Sequence, residues 1–209
     1  MTQHTDDNHI NIALTVADTQ SEGPGRRFAV WVQGCHLRCQ GCCNPEMLQL
    51  VDKQKQSVIE LANQIINTKH IKGVTFLGGE PLLQATALSQ LATLIKAQQL
   101  TVMVFTGYTW QHIKQSNNPN WNTLLEHTDL LISGPYNIKQ CSTKRRWIGS
   151  DNQEIHYLTE HYRYLENQPH AWDPKPNSVD INFKNGQLTV NGFPTSALEL
   201  WKQDISNPD

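Results

Sequence analysis

The sequence lacks any apolar run long enough to cross a bilayer, and its first ten residues show neither the basic nor the apolar segment of a secretion signal. It also lacks a charge excess, because 17 Lys and Arg residues and 19 Asp and Glu residues leave a net charge of -2. We therefore expect no membrane span and no broad electrostatic binding of nucleic acid. With 38% hydrophobic residues among 209, the composition predicts a folded cytoplasmic protein.

Cysteine is scarce and unevenly placed. Four of the five cysteines, Cys35, Cys39, Cys42 and Cys43, fall within nine residues, and Cys141 stands alone. An odd number with this clustering, and without a secretion signal, is not typical of a disulfide framework. Cys35, Cys39 and Cys42 form a C-x3-C-x2-C pattern, whose soft thiolates suit an iron–sulfur cluster or zinc. The sequence therefore predicts a metal site on this loop.

A structural zinc site is the alternative interpretation of the same loop. Zinc usually takes a fourth protein ligand from a second paired element, and the sequence has no second cysteine pair. Cys43, His36 or Cys141 could complete such a site, but none has the usual spacing. Three ligands from one loop would instead leave one iron of a four-iron cluster open, so the pattern favours a cluster. We expect Cys43 to be a small apolar neighbour of the site and Cys141 to be an incidental thiol, buried or half-buried.

Short apolar runs alternate with helical patterns along the first two thirds of the chain. Strands are predicted at 28–33, 74–77, 100–105 and 129–132. One helix is predicted after a capping box at Ser57 and Glu60, a second after the strand at 74–77, and two short ones around 117–119. This alternation predicts an α/β fold, either a partial (β/α) barrel or an open, curved, mainly parallel sheet. Such sheets bind ligands in the loops that follow their strands.

The periodicity is lost over residues 134–178, which are rich in polar side chains. Apolar and polar residues alternate again on both sides of a turn at 184–186, which predicts a β-hairpin at 179–191. The predicted organisation is an N-terminal segment at 1–22, a core at 23–155 and a C-terminal extension at 156–209.

The motifs in this order resemble a known family. A C-x3-C-x2-C loop after an apolar strand, followed by a strand ending in Gly78-Gly-Glu-Pro81, resembles the radical S-adenosylmethionine (SAM) superfamily. The similarity is closer to its glycyl-radical-enzyme activases, of the anaerobic ribonucleotide reductase type. The segments that carry it are 23–28, 32–35, 41–45, 106–108, 129–136 and 149–153. An aromatic residue is common in that branch where Cys43 stands, and an Asp where Ser133 stands.

The resemblance implies roles for particular residues. Cys35, Cys39 and Cys42 would hold three irons of one 4Fe-4S cluster, and the open iron would bind the methionine part of SAM. The residues that would bind SAM are Gly41, Cys42, Cys43, Gly78, Gly79, Glu80 and Thr106. Glu80 would accept from the SAM ammonium group, and glycines without a Cβ would let the backbone approach SAM closely. No protein side chain is predicted to act as a catalyst itself.

The resemblance also implies an activity. Reductive cleavage of SAM would yield methionine and a 5′-deoxyadenosyl radical, with the cofactors carrying the chemistry. The radical would take a hydrogen from a glycine of a partner such as anaerobic ribonucleotide reductase, and a flavodoxin- or ferredoxin-like protein would supply the electron. Two alternatives stay open. One is radical SAM modification of a small molecule or peptide, with residues 134–209 as a specificity cap. The other is a zinc- or cluster-binding interaction protein without turnover.

Overall fold

The structure, a computed structural model, describes residues 7–142, 145–168, 170–172, 180–184 and 187–191. Its centre is a seven-stranded sheet in the order β3-β1-β2-β4-β5-β6-β7. The strands are β1 (His9–Thr19), β2 (Arg27–Val32), β3 (Gln54–Ser57), β4 (Gly73–Gly78), β5 (Thr101–Thr106), β6 (Leu130–Ser133) and β7 (Glu154–Tyr157). The helices are α1 (Val58–Asn67), α2 (Ala85–Ala97), α3 (Trp110–Ser116) and α4 (Pro119–Glu126).

The four central strands, β2, β4, β5 and β6, run parallel. Parallel neighbours need a crossover, which is supplied here by α1, then α2, and then α3 with α4. These strands and helices confirm the ones predicted from the apolar patterns. Because the strands are parallel, their carboxyl ends lie along one edge of the sheet, and the loops that follow them meet there.

The outer strands are antiparallel and make the sheet mixed. β1 pairs with both β2 and β3, and β7 pairs with β6. The expectation of a mainly parallel sheet therefore holds only for the four central strands. The alternation of buried Ile10 and Ile12 with more exposed neighbours was the available signal for β1. In the described residues the end strands β3 and β7 do not pair with each other, so the sheet is open.

The helices cover one face of the sheet. Ser57 caps α1 with its hydroxyl, which accepts a hydrogen bond from the Glu60 N–H at 3.2 Å. The largest apolar cluster joins the two layers. It includes Phe28, Val30, Val74, Phe76, Val102 and Val104 from the strands and Leu61, Ile65, Leu88, Leu91, Ile95 and Leu124 from the helices. The helices cover this face of the sheet, and the opposite face packs against other elements.

Part of the opposite face is covered by the chain beyond β6. Met103, Leu130 and Ile132 of the sheet pack against Ile148 and against a 3-10 helix at Glu160–Leu165. β7 runs across the boundary predicted at residue 155, so the chain on both sides of that position belongs to one packed layer.

Two further strands, β8 (Asp180–Lys184) and β9 (Gln187–Asn191), pair antiparallel as a two-stranded sheet of their own. They lie within the range of the predicted hairpin. Among the helices that the structure describes, none combines the length and apolar character needed to cross a membrane.

Candidate active site

The cysteine loop follows β2 and is joined by hydrogen bonds to the loop that follows β4. The Glu80 N–H donates to the Gly34 carbonyl oxygen at 2.9 Å. A Cβ on Gly79 would overlap the same carbonyl, and a Cβ on Gly78, whose φ is 102°, would lie 2.8 Å from the Trp31 Cα. The two glycines are therefore needed because two stretches of the protein's own backbone meet here. Their contact with SAM stays a prediction.

These loops line a cleft at the carboxyl ends of the parallel strands. Its empty space is about 850 Å³, counted out to the open mouth. Cys35, Cys39, Cys42 and Cys43 line one part of it, and Gly78, Gly79, Glu80 and Thr106 line another. Gly41 is exposed and is not one of the lining residues, and the Ile138 side chain packs against it. Its contact with SAM stays a prediction. The fold thus brings the two motifs of the sequence to one place.

The three patterned cysteines have sulfur atoms that accept hydrogen bonds from backbone N–H groups. Cys42 Sγ accepts from the Asn44 N–H at 3.4 Å. Cys35 accepts from the two residues of the loop at 37 and 38, and Cys39 accepts from the Tyr136 N–H. Such N–H groups stabilise negative charge on sulfur, which is how proteins support iron-bound thiolates.

Burial raises the pKa of the Cys35 and Cys39 thiols above their usual value, and the N–H groups oppose this rise. Binding to iron replaces the thiol proton outright, so burial does not prevent ligation. In a 4Fe-4S cluster each iron that the protein holds takes one thiolate, so three thiolates leave the fourth iron open to another ligand. The three thiols of Cys35, Cys39 and Cys42, with their N–H donors, fit that arrangement.

Glu80 is a buried carboxylate that connects two strand ends. Its Oε1 accepts from the Leu82 N–H at 2.9 Å and from the Thr106 hydroxyl at 2.8 Å, and its Oε2 accepts from the Gly107 N–H at 2.9 Å. It is 1% exposed, and burial raises its pKa to about 7 against the opposing effect of these three bonds. Glu80 thus holds the ends of β4 and β5 beside the cysteine loop.

Thr106 also helps to hold the ends of β4 and β5 together. Its hydroxyl donates to Glu80 and accepts from the Tyr108 N–H at 3.2 Å. Both interactions are within the protein, which accounts for a buried hydroxyl at this strand end without a ligand. Its contact with SAM stays a prediction.

Gln153 is a residue of the cleft to which the sequence analysis assigned no role. Its Oε1 accepts from the Gly149 N–H at 3.0 Å and the Ser150 N–H at 3.1 Å, and its Nε2 donates to the Gly134 oxygen at 3.1 Å. It therefore holds two loops at the edge of the cleft. The segment 149–153 was part of the resemblance, which was the only signal for it.

The remaining two cysteines differ in position. Cys43 is exposed as a residue and lines the cleft beside Cys42. Cys141 is also exposed, pairs with Ser150 through an isolated β-bridge and is not among the residues that line the cleft. The expectation that Cys141 is buried or half-buried was wrong, because its thiol is exposed and lies outside the lining of the cleft. The function of Cys43 stays a prediction.

Comparison with known proteins assigns the chain to a family. The family described as "4Fe-4S single cluster domain" matches residues 21–156, and the chain belongs to it. The anaerobic ribonucleoside-triphosphate reductase-activating protein of Enterobacteria phage T4 is 34% identical over 140 residues, which are 64% of this chain and 85% of that protein. The protein of the same name from Vibrio cholerae is 31% identical over 146 residues, or 66% of this chain and 91% of that one.

A second kind of relative is longer than this chain. The pyruvate formate-lyase-activating enzyme of Staphylococcus epidermidis is 34% identical over 117 residues, which are 53% of this chain and 47% of the enzyme.

The chain is a radical SAM enzyme of the glycyl-radical-activating kind, with a 4Fe-4S cluster and SAM as cofactors. Among solved structures, QueE from Escherichia coli matches 49% of this chain and 53% of its own chain, with a TM-score of 0.37 and 17% sequence identity. This similarity is too low to support an argument.

Proposed function

We propose that this chain installs a glycyl radical on an enzyme of the anaerobic ribonucleotide reductase type. Its similarity extends over 85% and 91% of two proteins named as activators of that reductase, but over 47% of a formate-lyase activator. The proposed site rests on one observation: Cys35, Cys39 and Cys42 line the same cleft as the loop at 78–80.

Cys35, Cys39 and Cys42 hold the cluster in this proposal. They come from one loop. The Cys35 N–H donates to the Leu48 oxygen at 3.2 Å, which anchors the start of the loop to the segment that follows it, and the Cys42 N–H donates to the Cys39 oxygen at 3.2 Å, which closes a turn within it. The anchored loop keeps the three sulfurs on the cleft side, and their N–H donors stabilise the charge of a bound cluster.

The loop after β4 orients SAM in this proposal. When bound, the cluster and SAM supply one-electron cleavage of a carbon–sulfur bond. A carboxylate has about four lone-pair positions, and three donors occupy three of them at Glu80, so one on Oε2 is left for the SAM ammonium group. Leu37, Leu77 and Phe105 line the cleft with apolar groups that exclude water from the reacting atoms.

A direct test compares Cys39→Ala with Cys141→Ala after anaerobic reconstitution with iron and sulfide. The first variant loses a proposed ligand, so we expect it to hold less iron and to form no 5′-deoxyadenosine from SAM and dithionite. The second removes an exposed thiol that does not line the cleft and serves as the matched control. SAM cleavage by Cys39→Ala at the rate of the control would refute the ligand assignment.

The partner is tested separately by electron paramagnetic resonance. The reduced protein is mixed with SAM and either an anaerobic ribonucleotide reductase or a pyruvate formate-lyase. We expect the doublet signal of a glycyl radical on the reductase alone. A signal on the formate-lyase alone would contradict the proposed partner, and SAM cleavage with a radical on neither would favour modification of a small molecule or peptide.

A further inference from the structure

Two of the five cysteines have side chains that the proposed cluster does not use. Cys35, Cys39 and Cys42 are the proposed ligands, and Cys43 and Cys141 remain. Both remaining residues are exposed and carry free thiols, so reagents dissolved in water can reach them. Accessible free thiols are the ones that small disulfides and other oxidants modify. The reaction open to two such thiols depends on whether the fold brings them together.

The segment that carries Cys141 packs against the cysteine loop. The Ile138 side chain covers Gly41 so closely that a Cβ on Gly41 would lie 2.6 Å from the Ile138 Cδ1. On the same side, the Tyr136 N–H donates to the Cys39 sulfur. The Cys141 N–H donates to the Ile138 oxygen at 3.4 Å, which keeps Cys141 within one turn of this contact. The two stretches of chain that contain the remaining cysteines are therefore held side by side.

Tyr136 connects the two thiols. It lines the cleft together with Cys43, and its hydroxyl shares a hydrogen bond with the Cys141 sulfur. Burial raises the pKa of the Cys43 thiol, and the charges of Cys42 and Cys141 add to that rise. Charges have this effect on a thiol only when they are close to it. The contacts between the segments and the electrostatics thus agree that Cys43 and Cys141 are neighbours.

We propose that Cys43 and Cys141 form a reversible disulfide that lowers the affinity of the cleft for SAM. The oxidant is a small disulfide such as oxidised glutathione. This inference goes beyond the proposed function, because no partner enzyme takes part in the reaction. It gives a use to the two cysteines that the proposed cluster leaves free.

The disulfide forms by two exchange reactions. The Cys141 thiol, which is exposed and outside the lining of the cleft, loses its proton and attacks one sulfur of oxidised glutathione. This step releases one molecule of glutathione and leaves a mixed disulfide on Cys141. The Cys43 thiol then attacks the Cys141 sulfur and releases the second molecule. The two protein thiols lose two electrons and two protons, and oxidised glutathione takes them up to become two thiols.

The bond acts on the cleft through Cys43. Cys43 lines the cleft beside Cys42, whereas Cys141 does not line it. A disulfide usually holds its two Cα atoms within about 7 Å of each other, so the bond draws Cys43 toward a residue outside the cleft. Because Cys43 is one of the predicted SAM contacts, its displacement from the cleft wall weakens SAM binding.

Peptide mapping tests whether the bond forms. Reconstituted protein is treated with oxidised glutathione without oxygen, the remaining thiols are alkylated, and the tryptic peptides are identified by mass spectrometry. Cleavage after Lys and Arg releases Cys141 in peptide 140–144, Cys35 in peptide 28–38 and the other three cysteines in peptide 39–53. We expect peptide 140–144 to be linked to peptide 39–53, and dithiothreitol to separate them. A link to peptide 28–38, or no link at all, would overturn the proposal.

Two variants identify the sulfurs that are joined. We expect Cys43→Ser to form no link and to keep a glutathione adduct on Cys141, because the second exchange has lost its thiol. Cys141→Ser should form no link either. A link that persists in Cys43→Ser would run to Cys39 or Cys42 and would contradict the proposal, as would a lasting adduct on Cys141 in the unsubstituted protein. Iron measured in the same samples distinguishes failure of the disulfide from failure of the proposed ligands.

Equilibrium dialysis with SAM tests the effect on the cleft, with the cluster left unreduced so that no reductant breaks the disulfide. We expect the linked protein to bind SAM about tenfold more weakly than the untreated protein, which is the effect of about one lost hydrogen bond. Dithiothreitol should restore the affinity. Cys141→Ser is the control and should bind SAM equally well before and after treatment. Unchanged affinity of the linked protein, or an equal loss in Cys141→Ser, would overturn the proposed effect.

Discussion

Two fully buried charged side chains lie at opposite ends of the parallel strands. Glu80 lies at the carboxyl end, beside the cleft, and is 1% exposed. Arg27 is the first residue of β2, at the amino end, and is 0% exposed. Both are surrounded by hydrogen-bond partners, as buried charges must be. Glu80 and Arg27 hold different parts of the structure together. We therefore expect substitutions at the two positions to change different properties of the protein.

Arg27 connects three strands to the chain beyond β7. Its guanidinium donates to the Thr75 hydroxyl at 2.7 Å, to the Val74 oxygen at 2.6 Å and to the Tyr162 hydroxyl at 2.8 Å. The Tyr162 hydroxyl also shares a hydrogen bond of 2.7 Å with Thr101. Arg27 thereby attaches the 3-10 helix at Glu160–Leu165 to the base of the sheet.

Glu80 instead connects loops that border the cleft, through the Leu82 and Gly107 N–H groups and the Thr106 hydroxyl. Its bonds are local to the proposed SAM site, whereas those of Arg27 are remote from it. A similar burial of charge thus serves stability at one end of the sheet and the geometry of the cleft at the other.

Replacement of Arg27 should have the largest effect on stability. We expect Arg27→Ala to lower the free energy of unfolding by about 4 kcal/mol, because it leaves a cavity and several buried acceptors without donors. Urea unfolding of the metal-free protein measures the change. Arg163→Ala, which removes an exposed arginine paired with Glu160, is the control and should cost less than about 1 kcal/mol. Equal effects in both variants would mean that the Arg27 bonds add no net stability.

Glu80 should make the free energy of unfolding depend on pH. Its pKa is about 7 in the folded protein against 4.5 ordinarily, so the folded state binds this proton more tightly than the unfolded chain does. Between these two pH values, the free energy of unfolding should therefore fall as the pH rises, by about 3 kcal/mol from this group.

Glu80→Gln cannot titrate, and the pH dependence of its unfolding should be flatter than that of the unsubstituted protein by this amount. Glu126→Gln, at an exposed position, is the control and should leave the pH dependence unchanged. Parallel pH profiles for the unsubstituted protein and Glu80→Gln would show that the pKa of Glu80 is not raised by folding.

Removal of one hydroxyl at the base of the sheet should have the smallest effect. Tyr162→Phe keeps the ring in its apolar contacts but removes the partner of Arg27 and Thr101. We expect a loss of about 1.5 kcal/mol in unfolding free energy and no change in SAM cleavage, because the cleft lies at the other end of the strands. A loss of cleavage at unchanged stability would show that the two ends are coupled.

Much of the central fold could be predicted from the sequence. The four parallel strands were visible because both of their faces are buried, which makes them continuous apolar runs. β3 and β7 were not visible, because β3 is a four-residue edge strand of polar residues and β7 lies in a stretch without periodicity. Edge strands of that kind form because a neighbour offers hydrogen bonds, which no local pattern records.

The candidate site also has one part that could be predicted from the sequence and one part that could not. The spacing of Cys35, Cys39 and Cys42 is a property of one short loop, so the sequence alone was enough to predict a ligand set. The bonds of Glu80 to Thr106 and Gly107 join residues more than twenty positions apart, and only the parallel arrangement of β4 and β5 brings them together.

The sequence by itself determined the chemistry that this protein can carry, because three thiolates on one loop and a Gly-Gly-Glu strand end are local patterns. The tertiary structure alone decided where that chemistry takes place. Parallel pairing places the ends of four strands side by side, and the loops that follow them become one cleft. It also decided that Arg27 is buried, because its donors are satisfied by carbonyls and hydroxyls from strands and a helix that lie far apart in the chain.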